Sequence, residues 1–155
     1  MSFIKRFEAV CITQKPHQIV NAGHGGIILS LISNMNEEEL TDTLCRPHLV
    51  AALAECGWAD QIWDLIETLS IDNKIKVLST SGAILCLASN GKAHAIMNII
   101  EPLDSANQYH LLKASEGYAY IGLRDNGVRK RLNKCVDAMA WHHKVLLRPL
   151  CNNLT

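Results

Sequence analysis

The chain repeats itself about every 34 residues, and this period constrains its fold more than any other feature. The segment 44–57, LCRPHLVAALAECG, is followed 34 residues later by 78–91, LSTSGAILCLASNG. Gly57, Ile62, Leu65, Ile66 and Leu69 become Gly91, Ile96, Ile99, Ile100 and Leu103, and one period earlier they meet Gly23, Ile28, Leu31, Ile32 and Met35. Toward the C-terminus the spacing stretches to 36, and Gly127, Leu132, Cys135, Val136 and Met139 take the same roles. Four units fit, roughly 10–43, 44–77, 78–111 and 112–147. Self-similarity at such a period marks supersecondary units that cannot bury their apolar faces alone and must stack on their neighbours.

Each unit reads as a helical hairpin. Apolar residues 5, 8, 9 and 12 positions after the glycine lie on one face of a 3.6-residue helix, helix B. The glycine suits the left-handed residue that ends a preceding helix A. Asn36, Ser70 and Asp104 follow helix B and place a capping oxygen at the start of the next helix A. Helix A is expected to run over about 72–90 in the third unit and 104–125 in the fourth. Pro47 interrupts it in the second, so that 37–45 and 47–56 are separate or kinked segments. The two extra residues of the fourth unit fall between Leu112 and Gly127. No alternating β-branched stretch is bounded by turn pairs, which leaves an all-α chain.

The run Gly57-x-Ala59-x-x-Ile62-Trp63-x-Leu65-Ile66-x-x-Leu69, with Met97 in place of Trp63 one unit on, is similar to the second helix of tetratricopeptide and pentatricopeptide repeats. The tetratricopeptide Trp, Leu-Gly and Tyr of the first helix are missing, as is the Pro-Asp that follows a pentatricopeptide unit. The chain resembles TPR/PPR/HEAT-like repeats in general. That resemblance implies a short right-handed α-solenoid of about four helix-turn-helix hairpins, and a surface that holds another macromolecule.

Composition narrows the classes of function. Fifteen basic and fifteen acidic residues give a net charge of zero, which argues against a dedicated polyanion binder. No apolar run reaches the roughly 18 residues of a membrane span, and the first residues contain no signal-peptide core. Six cysteines stand without a CxxC pair, mostly inside apolar helical patterns, where a free thiol behaves as a small hydrophobe. A cytoplasmic, reducing compartment is the expectation. The His-, Asn- and Cys-rich single-module make-up is also similar to small effectors and regulators of intracellular bacteria, which implies delivery to a host cytosol.

The balanced charge is unevenly placed. Residues 36–78 carry three basic and nine acidic side chains, whereas 79–155 carry nine basic and five acidic. Such polarity steers a partner or favours self-association, so a homodimer fits as well as a different protein. Trp58 follows the turn glycine and is a surface candidate, because interface hot spots favour Trp and Tyr; Trp63 belongs to the core stripe. Tyr118 and Tyr120 are two apart on helix A, so one of them faces outward. The expected partner-binding surface is Trp58, Asp60, Tyr118, Tyr120 and Arg124 with the run Arg129, Lys130 and Arg131. That basic run also suggests an alternative, an RNA-associated repeat protein, although units two and three lack the charge for a continuous groove.

Catalytic and metal signatures are not found. His17 and His24, His94 and His110, His142 and His143, and Cys45 with His48 match neither HExxH nor a closed Cys/His quartet. Gly23-His24-Gly25-Gly26 lacks the Lys-Ser/Thr of a phosphate loop and is expected to let two hairpins approach closely. Cys86 lies in an apolar run that would leave its thiol inert. A non-catalytic protein-binding module without cofactor or metal is the resulting expectation. Its role would be to regulate or inhibit its partner.

Overall fold

In the computed structural model, which describes residues 23–152, the glycines that open the repeat mark its turns. Gly23, Gly57, Gly91 and Gly127 have φ of 87°, 93°, 91° and 92°, a left-handed conformation that costs a side chain about 1–2 kcal/mol and glycine nothing. The opening helix of the first unit, Cys11, His17 and the side chain of Cys151 lie outside the described residues.

All the described secondary structure is helical. α1 (Gly25–Ile32) leads to α2 (Glu37–Leu44) and α3 (Leu49–Leu53), and α3 passes through the turn Ala54–Trp58 into α4 (Ala59–Glu67). The next unit contains α5 (Ile71–Leu78), α6 (Ala83–Leu87), the turn Ala88–Lys92 and α7 (Ala93–Ile100). Then come α8 (Ser105–Leu112), the short turn Ala114–Gly117, α9 (Tyr118–Asp125), α10 (Arg129–Ala138) and α11 (Trp141–Asn152).

Helix A is therefore broken in each of the three units whose helix A is described, which corrects the continuous helices expected over 72–90 and 104–125. The hairpin of two helices becomes a set of three. The break does not depend on Pro47. His48, Gly82 and Gly117 occupy the same register with φ of 64°, 75° and 93°, and each opens the second helix of its unit. In the third unit the Ser79 and Thr80 hydroxyls bond back to the carbonyls of Lys76 and Val77, at 2.8 and 2.7 Å, closing α5. The fourth unit takes up one extra residue before Gly117, where Ser115 and Glu116 are both left-handed, and the other between Gly117 and Gly127.

The apolar stripe is the core. Ile62, Ile66, Ile96, Ile100 and Leu132 are fully buried, each removing from water a side chain worth about 2 kcal/mol. Residues eight places after the glycine, Leu65 and Ile99, lie at the edge of that core. The two segments of helix A pack on their counterparts one period away: α2 on α5, α5 on α8, α8 on α11, and likewise α3 on α6 and α6 on α9. The last of these pairs is close because α9 carries Gly122, where a Cβ would come within 2.9 Å of the Leu85 Cα. The stretch Ala83–Ile100 is apolar enough to suggest a membrane-spanning helix, but half of it is buried inside the protein. Asn90 and Gly91 depart from helical dihedrals and divide it into α6 and α7.

Polar side chains join the units across the same period. Glu37, in the first turn of α2, accepts from the Ser70 backbone N–H at 2.6 Å and from the Asn73 amide at 2.9 Å. Ser105 has the same register two units on, and its hydroxyl accepts from the Ala140 N–H at 2.9 Å. Asn36 and Asp104 cap α2 and α8 through Glu39 N and Asn107 N, as their sequence suggests. The Ser70 side chain makes no such bond, and its backbone is held by Glu37 instead.

Candidate partner-binding surface

Most of the residues singled out from sequence lie within four residues of the turn glycines Gly57 and Gly127. Trp58 is packed, not free: Gly25 and Gly26 leave room for its indole, and a Cβ at Gly25 would overlap the ring. The Gly-rich segment thus lets neighbouring units approach, as expected, and Trp58 is half-buried against the core. Trp63 is buried, with its indole N–H donating to Glu67 Oε1 at 2.8 Å.

Asp60 pairs with Lys92 at 2.6 Å, about one period on, while its side chain stays 81% exposed. Arg131 does the same between α10 and α7. Its guanidinium donates to both Glu101 oxygens at 2.9 and 2.8 Å, to Asn98 Oδ1 at 2.7 Å and to the His94 carbonyl at 3.3 Å. These bonds hold Glu101 below its ordinary pKa and raise that of Arg131. Arg124 bonds Asp125 at 2.9 and 3.3 Å, and Arg129 approaches the same carboxylate at 3.8 Å. The Arg124 bond is the main reason that Asp125 is held below its usual range.

The expected surface therefore does not form one patch. Arg124, Arg129 and Lys130 gather near the Gly127 turn, with Arg131 directed at α7. Tyr118 is exposed at the opposite end of α9, roughly 10 Å away at 1.5 Å per residue, and Tyr120 is packed at the core edge. Among the described residues no three His, Cys, Asp or Glu side chains group as metal ligands. Cys86 is no ready nucleophile: burial, and then its 3.1 Å bond to Glu55 Oε1, push its pKa up to about 12. Burial likewise raises the Cys45 and Cys135 thiols.

Two surfaces were not selected from sequence. The first is the outward face of α11, where Trp141 is 76% exposed and Val145 and Leu146 stand exposed beside it, while Leu147 anchors the helix inward. The spacing Trp141–Val145 is that of one helix face, but whether it points in or out depends on how α11 seats on α8. That seating uses His143, whose Nδ1 lies 2.8 Å from Ser105 Oγ and whose ring stacks on Tyr109 with centroids 5.3 Å apart. The second is a groove of about 440 Å³ between α2 and α5, lined by Glu37, Glu38, Thr41, Asp42, Cys45, Asn73 and Lys76.

No protein-family model matches the chain, and no curated protein or solved structure is significantly similar to it.

Proposed function

We propose that the chain is a short right-handed α-solenoid that acts without catalysis, binding another protein and regulating or inhibiting it. The observation that carries this reading is the exposed apolar face of α11. A tryptophan with three-quarters of its surface in water, beside two exposed aliphatic residues on one helix, is the composition of an interface core. The packing of like helix-A segments one period apart supports the solenoid.

Arg129, Lys130 and Lys134 are exposed on α10 and would be the site of an RNA-associated reading. That reading is the weaker one, because Arg131 and Arg124 already bond carboxylates and the acidic 36–78 segment follows the same stack. Affinity capture from native lysate, with and without nuclease, separates the two. A stoichiometric protein that resists nuclease and is lost with Trp141→Asp is the expected result. Material that nuclease removes, or capture indifferent to Trp141→Asp, would overturn the protein-binding reading of this face.

A further inference from the structure

The groove between α2 and α5 combines two independent features. The first is charge. Glu37, Glu38 and Asp42 face a single Lys76, so the lining is negative by two charges. Glu37 is committed to Ser70 and Asn73, whereas Glu38 and Asp42 make no hydrogen bond or ion pair among the described residues. The second is an orphaned hydroxyl. Thr41 lines the same groove, is 5% exposed, and its Oγ1 has no hydrogen-bond partner. Buried polar groups are nearly always paired, so one left without a partner beside a groove is a place where a ligand donor would relieve the deficit. Its neighbour Thr43 is satisfied by the Glu39 carbonyl at 2.8 Å, so the vacancy is particular to Thr41. In the following units the register of Thr41 is taken by Ile75 and Tyr109, and that of Asp42 by Lys76 and His110, which makes this groove unlike its repeats.

We propose that this groove receives an arginine or lysine side chain from a basic segment of a partner protein. Two unpartnered carboxylates and a hydroxyl oxygen form an acceptor set, and a guanidinium or ammonium supplies only donors. The groove volume accommodates one long side chain. An anion is repelled, and a metal ion lacks its ligands, since no three His, Cys, Asp or Glu side chains converge among the described residues. The surplus of acidic residues over 36–78 extends beyond the groove and favours a run of cations over a single small amine. The inference rests on the protein-binding reading and assigns part of the partner's chemistry.

The test is titration of the full chain with an acetylated, amidated hexa-arginine peptide at low salt, by calorimetry and by amide chemical shifts. Glu38→Gln with Asp42→Asn is expected to weaken binding about tenfold, the scale of one charge-assisted hydrogen bond. The charge-matched control, Asp64→Asn with Asp137→Asn, changes it less than about twofold, as expected for distant exposed charges. Thr41→Val keeps the shape and removes the orphan; it is expected to raise the melting temperature and still weaken binding several-fold. Shifts centred on Thr41, Asp42 and Asn73 support the site. Absence of binding by the wild type, or equal losses in the two charge-neutralised pairs, overturns it. Concentration-dependent self-association that Asp42→Asn abolishes overturns the assignment to a different protein and makes the occupant a second copy. If peptide binding fails while a stoichiometric partner is still captured through Trp141, the groove proposal falls and the protein-binding reading stands.

Discussion

Substituting Gly122 by alanine sets two physical effects against each other, and the structure decides the sign. Gly122 lies inside α9, where alanine is favoured over glycine by about 1 kcal/mol. A side chain at this position meets the backbone of α6: its Cβ would stand 2.9 Å from the Leu85 Cα and 3.0 Å from the Leu85 Cδ1. A rotamer change moves the second atom and leaves the first in place. The helices must separate by several tenths of an ångström, disturbing the buried neighbours Ile84, Leu87 and Leu123. Overpacking of this kind costs about 1–3 kcal/mol in a close-packed interior. With about 1 kcal/mol of helix propensity offset against that cost, the net expectation for Gly122→Ala is a loss of up to about 2 kcal/mol and a melting temperature lower by up to about 8 °C. Urea unfolding followed by tryptophan fluorescence and by far-ultraviolet circular dichroism reads the change. Leu85→Ala in the same background is expected to recover little, because it trims the side chain and leaves the α6 backbone in the way. A Gly122→Ala protein more stable than wild type by about 1 kcal/mol would mean that helix propensity governs and that α6 and α9 do not approach so closely.

Three further outcomes are expected. Among the described residues, His48 is the one with a side chain in the left-handed register that Gly82 and Gly117 share, so His48→Gly should stabilise the protein by about 0.5–1 kcal/mol in chemical denaturation, relief of strain exceeding the added unfolded-state entropy. Glu37, Glu101 and Asp125 all have pKa values lowered in the fold, so their contribution is present above the unfolded-state carboxylate range and is lost as pH falls through the lower folded values; stability should drop on acidification below about pH 5, and Glu101→Gln should flatten that slope in denaturant midpoints measured from pH 3 to 7. Cys86 and Cys135 are buried with raised pKa values, so iodoacetamide at pH 8 should leave both unmodified in the native protein and alkylate both in denaturant, as peptide mass mapping would show.

The period, the turn glycines and the core stripe were legible because each depends on short-range rules. Gly57 and Gly91 need φ near 90°, and Ile62 with Ile66, or Ile96 with Ile100, share a helix face at spacing four. The break in helix A was harder to read. Pro47 announces it in one unit, but in the next the signal is only Ser79-Thr80-Ser81-Gly82, a run that a long amphipathic helix can also absorb. The partner candidates fared according to what lay one period away. Trp58 and Arg131 look like exposed chemistry along the chain, yet Gly25 and Glu101 engage them in space, and Asp60, though exposed, is paired with Lys92. The α2–α5 groove escaped notice for the same reason: Thr41 and Asp42 gain meaning only when Asn73 and Lys76 are brought opposite them. Whether Trp141 faced outward was equally undetermined until α11 was seated on α8.

The pairings between units join segments about one repeat apart, as in α3 with α6, α6 with α9 and α8 with α11. The loop that must close to form any of them is therefore about 34–36 residues long, wherever along the chain it forms. Loop-closure entropy rises with the logarithm of loop length, so the last pairing costs no more than the first. Folding speed follows the sequence separation of the segments that meet, which here is set by the repeat and not by the length of the chain. Such a chain can gain or lose a whole unit in evolution at little kinetic cost. What has to change each time is the helix left at the end.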